Sequence, residues 1–89
     1  MNAVITVTGH DNRGIIAAVS TKCAEYGVNI IDISQSVIRD YFAMIMLADI
    51  DSLTVPLAEF ISAMEETGKE KGLVIQTIHE DIFNAMHRI

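Results

Sequence analysis

Five consecutive residues, His10-Asp11-Asn12-Arg13-Gly14, put an imidazole, a carboxylate, an amide and a guanidinium into one short stretch. A second amide, Asn29, follows the next apolar segment, beside Ile30. Asn side chains offer both donors and acceptors, which suits the two charged ends of an α-amino acid. Asp11 can pair with an ammonium group, and Gly14 lets ligand atoms approach the backbone closely. The stretch lies where a β-branched run ends and a helical one begins. A helix N-terminus presents free N–H groups and a partial positive charge, and so favours a carboxylate. A plainer reading stays open: Asp11 or Asn12 caps the helix and Gly14 only turns the chain.

Other reactive residue types form no recognisable set. Cys23 falls on the apolar stripe of the helical stretch, where a thiol behaves as a small hydrophobe, and no activating base accompanies it. His10, His79 and His87 lack metal-ligand spacing, so no metal is expected. Asp49 and Asp51 are two carboxylates in a solvated turn, too few for a calcium loop. Gly9 to Gly14 has neither the Gly-Lys-Ser/Thr ending of a phosphate-binding loop nor the dinucleotide glycine spacing. No acid, base and nucleophile assemble, so neither an enzyme nor a cofactor is expected. Met44 and Met46 share one face of a strand, as core filler or as a partner surface.

The elements that must position these residues follow from changes of hydrophobic period. The chain has 89 residues, room for one domain. Ala3 to Thr8 reads as a buried strand. Ile15, Val19, Cys23 and Tyr26 make a helical stripe with Ile16 beside it, stopped at Gly27. Asn29 to Arg39 alternates, with Ile31, Ile33 and Val37 on one face and Ile30, Asp32, Ser34 and Ser36 on the other. A tight turn at Asp40-Tyr41 leads into Phe42 to Ile50, apolar on both faces and hence central or doubly covered. Thr54 is placed to cap a second helix carrying Leu57, Phe60, Ile61 and Met64, ended by Gly68 to Gly72. Leu73 to Ile78 is a fourth strand, and Ile82, Phe83 and Met86 predict a short packed helix at the tail. The order βαββαβ with two right-handed crossovers predicts an α+β, ferredoxin-like two-layer sandwich. Its antiparallel sheet has the order 4-1-3-2, with both main helices on one face and a short C-terminal helix.

Bulk properties narrow the partners. A net charge of −6 from six basic and twelve acidic residues excludes the basic footprint that direct nucleic-acid binding needs. It also disfavours an anionic membrane. No apolar run reaches the roughly 20 residues of a membrane span, and no signal peptide is recognisable. One cysteine gives no sign of an oxidising compartment, so a cytoplasmic protein is expected. Yet 51% of residues are hydrophobic, an apolar surplus for so small a shell. A partner that covers some of it, most simply a second copy, is the expectation.

The first strand, the loop from His10 to Gly14, the run Ile15-Ile16-Ala17, then Gly27-Val28-Asn29-Ile30 and Asp32 together resemble the ACT domain family. The resemblance makes residues 1–89 a single ACT domain, similar to small stand-alone bacterial members and to the tandem ACT regulator of the glycine cleavage system. It implies a regulatory role and a small amino-acid ligand held by His10, Asp11, Asn12, Arg13, Gly14, Asn29 and Ile30. In serine-sensing members a His and two Asn contact the ligand, and His10, Asn12 and Asn29 match them. The family's Pro before the Gly is missing here, which makes the loop one residue shorter. The resemblance also implies a homodimer paired along the second strand, through Ile31, Asp32, Ile33, Ser34 and Gln35. A further protein partner, or pairing without any ligand, is the alternative.

Overall fold

The computed structural model describes residues 1–10 and 13–87. Asp11 and Asn12 therefore lie outside the described residues, as do Arg88 and Ile89. Among the described residues, four strands and three helices follow one another as β1 (Asn2–Gly9), α1 (Ile15–Glu25), β2 (Asn29–Ile38), β3 (Tyr41–Asp49), α2 (Leu57–Lys71), β4 (Val74–His79) and α3 (Glu80–Met86). The sheet order is β2-β3-β1-β4 and every pairing is antiparallel, the predicted topology read from the other edge.

Alternation along the central strands divides the sheet into two unlike faces. Ala3, Ile5, Val7, Phe42, Met44, Met46, Ala48 and Ile75 point to the helix layer, where they meet Ile15, Val19 and Cys23 of α1 and Phe60 and Met64 of α2. Met44 and Met46 are thus core residues. The opposite face has no layer over most of its area, which leaves Tyr41, Ile45 and Val74 exposed. β3 is central, as its composition suggests, but the described residues leave its second apolar face uncovered. The slab is accordingly thin, 35 × 35 × 19 Å.

Helix ends follow local chemistry. α1 closes with Gly27 N–H donating to Ala24 O and Val28 N–H to Cys23 O, which satisfies two orphan carbonyls of the last turn. Thr54 does not cap α2. Its N–H and hydroxyl both donate to the Tyr26 carbonyl, at 3.0 and 3.3 Å, because that exposed group at the end of α1 lies within reach. The N-cap of α2 is Pro56. α2 also runs on through Gly68 to Lys71, beyond the predicted end. Gly68 is where β4 crosses the helix: a Cβ there would meet the Leu73 carbonyl oxygen at 2.8 Å.

Three further expectations are corrected. The hairpin turn is Arg39-Asp40, with Tyr41 already paired to Ile38. A β-bulge between Ile30 and Asp32 shifts the register of β2. Two residues then oppose one, so Ile30 joins Ile33, Gln35 and Val37 on the helix side, while Asp32, Ser34, Ser36 and Ile38 take the uncovered side. Finally, α3 buries none of its residues; Ile82 and Met86 are exposed. With about two turns, it has too short a flank to bury. It contacts β1 and β4 at one corner of the uncovered face, where Val4 is only 5% exposed.

Candidate functional site

Among the described residues no side chain caps the start of α1. Gly14 is the N-cap residue, in the left-handed region at φ 67°, and its carbonyl accepts the Ala18 N–H at 2.9 Å. The first turn of α1 holds no acidic residue, so the positive end of the helix is not countered from within that turn. Among the described residues, a Cβ on Gly14 would meet nothing within 4 Å.

His10 is exposed, with its ring 4.9 Å from that of Tyr41. Tyr41 alternates with the core residue Phe42, so the pair of rings stands on the uncovered side of the sheet. On the other side, Arg13 and Ile15 line a groove of about 230 Å³ with Glu70, Lys71 and Leu73. Two cations and one carboxylate thus converge beside the α1 N-terminus, a composition suited to a small zwitterion. Read from the sequence, Tyr41, Glu70 and Lys71 have only structural parts, in a turn and at a wet helix end, and none in a site. They become legible once the topology is known, because the α2 C-terminus and the start of β3 must lie at the same end of the sheet as the α1 N-terminus.

Asn29 lies elsewhere. It begins β2 and pairs with Asp49, which in turn pairs with Asn2 at the start of β1. His10 follows Gly9, which pairs with Phe42 at the other end. Seven strand steps separate the two ends, about 23 Å at about 3.3 Å per residue. One chain therefore does not bring His10 and Asn29 together. Ile30, next to Asn29, is half-buried against the core. Ile31, Asp32, Ile33, Ser34 and Gln35 are all exposed along the free edge of β2.

The other chemistry-bearing groups are occupied structurally. Cys23 is 1% exposed, and burial pushes its thiol up to about 11, which keeps it protonated and unreactive. His79 Nδ1 accepts the Asp81 N–H at 3.1 Å and caps α3. The His87 ring stacks on Phe83, and its Nδ1 lies 2.8 Å from the Phe83 carbonyl. Asp49 accepts the Asp51 N–H at 2.8 Å, and Asp51 pairs with the Met1 ammonium group. Among the described residues no group of three or more His, Cys, Asp or Glu could hold a metal. Nor is any of their helices long and apolar enough to cross a membrane.

The model of the ACT domain family matches residues 2–77. A UPF0237 protein of Methanopyrus kandleri is 44% identical over 87 residues, covering 98% of this chain and 97% of that one. Among solved structures, an ACT domain protein from Streptococcus pneumoniae superposes with a TM-score of 0.83 at 39% identity, covering 98% of each chain. The regulatory subunit of aspartate kinase from Thermus thermophilus, in a ligand-free form, aligns with a TM-score of 0.66 at 27% identity. That match covers 85% of this chain and 49% of the other.

Proposed function

The chain belongs to the ACT domain family, and we propose that it is a regulatory module that binds a small amino acid between two copies of itself. It acts by changing its affinity for a protein partner rather than by catalysis, and it needs no cofactor. The observation that carries this reading is the division of the expected ligand residues. His10 and Arg13 stand at one end of the sheet and Asn29 at the other. Antiparallel pairing of two β2 edges would reverse the second strand and carry Asn29 of a second copy to the Ile38 end, on the side of the His10 loop. Neither copy holds both halves alone, so a ligand there would link occupancy to dimer geometry.

Support for the pairing comes from the edge itself. β2 is ten residues long and all but fully exposed, with Ile31, Val37 and Ile38 facing water. Asp32 is its only charge, a thin defence against edge-to-edge association. The α1 N-terminus with Arg13 would take the carboxylate, and Asp11 in the loop is the acid available to the ammonium group. The kinship with an aspartate kinase regulatory subunit agrees with a sensing role.

A thermal-shift screen of the twenty amino acids tests the proposal. A ligand at about 100 times its Kd adds about 2.7 kcal/mol, which for a domain of this size raises Tm by roughly 10–20 °C. Asn12→Ala and Asn29→Ala should each abolish the shift and leave the unliganded Tm nearly unchanged. A shift that survives both substitutions would place the ligand elsewhere. A dimer with no shift from any amino acid would instead favour a ligand-free association module, the reading that the apolar β2 edge supports on its own.

A further inference from the structure

The pairing proposed above uses the edge of the sheet and leaves its face bare. That face carries Ile38, Tyr41, Ala43, Ile45, Leu47 and Val74, with Thr and Ser positions between them. Ile45 lies at the middle of central strand β3 and is 49% exposed. The face is also nearly without charge. Among its strand positions only Asp32 and Asp49 are ionisable acids, and both lie toward the α3 end. In a chain of net charge −6 this is the surface on which like charges least oppose the approach of another copy.

Area decides how many copies meet. Four strands at about 4.8 Å spacing and about six residues at about 3.3 Å rise give a footprint of about 19 by 20 Å. Two such faces bury roughly 760 Å² together, below the approximately 1,000 Å² of a specific interface. Edge pairing joins two faces into one continuous eight-stranded surface. Two of those bury roughly 1,500 Å², within the standard range.

We infer that the protein is a tetramer in which two edge-paired dimers stack through their uncovered sheet faces, with Ile45 near the centre of each contact. The inference rests on the edge pairing proposed above. The resulting layers run helices, sheet, sheet, helices, with the sheets about 10 Å apart. The rings of His10 and Tyr41, on the same side of the sheet, then lie at the rim of the stack.

Sedimentation velocity and native mass spectrometry at tens of micromolar test this. Wild type should run as a tetramer and Ile45→Lys as a dimer. Ile31→Lys/Val37→Lys, which charges the β2 edge away from the face, should give single chains. A wild-type dimer that survives Ile45→Lys and is lost in the edge variant overturns the stacking and leaves the edge pairing intact. A dimer that survives the edge variant and is lost in Ile45→Lys overturns the edge pairing, and the tetramer with it. Wild-type single chains overturn both, and the face then belongs to a different protein. Should Ile45→Lys fail to fold by circular dichroism, Ala43→Cys decides. Cys23 is buried and gives a silent background. Maleimide labelling of position 43 that is slow when concentrated and fast on dilution supports the stack; an unchanging rate overturns it.

Discussion

Thr77 stands on the helix side of β4, opposite Ile5, and its hydroxyl has no hydrogen-bond partner among the described residues although the residue is 7% exposed. Thr67, the other buried threonine among the described residues, shows the usual solution, donating to the Ala63 carbonyl at 2.9 Å within α2. An orphaned buried hydroxyl costs about 1–3 kcal/mol of desolvation, whereas an apolar group of the same shape carries no such cost. Thr77→Val should therefore stabilise the protein by about 1 kcal/mol, read as a higher midpoint in urea with an unchanged slope. Cys23 illustrates the opposite case. It is equally enclosed, but a thiol needs no partner, so burial only raises its pKa to about 11.

The joints between helix and strand are set by backbone proximity more than by side-chain pattern. Gly68 lies in the interior of α2, where Ala would normally gain about 1 kcal/mol of helix propensity. Here the Leu73 carbonyl oxygen and Ile75 Cγ1 lie 2.8 and 3.1 Å from a Cβ. The first is backbone, held by the Leu73 N–H bond to the Gly68 carbonyl at 2.8 Å, and cannot rotate aside. Overpacking of this kind costs about 1–3 kcal/mol. Gly68→Ala should thus lower stability by about 1 kcal/mol net, a fall in Tm of about 4–8 °C. An equal rise in Tm would show that β4 can withdraw from α2. The bulge in β2 belongs with these joints: it keeps Ile30 on the core while the rest of the strand serves as an edge.

One end of the fold is fastened by the start of the chain. The Met1 ammonium group pairs with Asp51, and the Met1 carbonyl accepts the Ile50 N–H at 2.9 Å. This ties β1 to the segment between β3 and α2. The hydrogen bond that the ammonium group donates to the Asp51 carboxylate, followed by that carboxylate's charge, holds the amino group's pKa above its ordinary value of 8.0. Folding therefore favours the protonated amine. That contribution is complete below pH 8.0 and is lost as pH rises through the higher folded value. Tm should decline as the solution passes from neutral into that alkaline range, and Asp51→Asn should flatten this part of the decline. Because the pair is fully exposed, the effect is small and shrinks with salt. An identical pH profile in wild type and Asp51→Asn would show that the pair contributes nothing to stability.

Element order, sheet topology and the α1 stripe were legible because they depend on period and punctuation, which are written in consecutive residues. Ile15, Val19 and Cys23 could only form one face of a helix, and βαββαβ leaves few ways to arrange four strands. The family was legible for a similar reason, since its loop and the Gly27-Val28-Asn29-Ile30 run are local. Contacts between distant residues were not. Thr54 looked like a cap until the fold brought the Tyr26 carbonyl to it, and Gly68 looked like a stop until β4 was seen to cross there. The bulge that reverses the face of Ile30 leaves no mark on a strand read alone, because register exists only between two strands. The candidate site divides along the same line. Its residue types are local, but the separation of His10 from Asn29, and the meeting of Arg13 with Glu70 and Lys71, arise only when the ends of β1, α1 and α2 are placed in space.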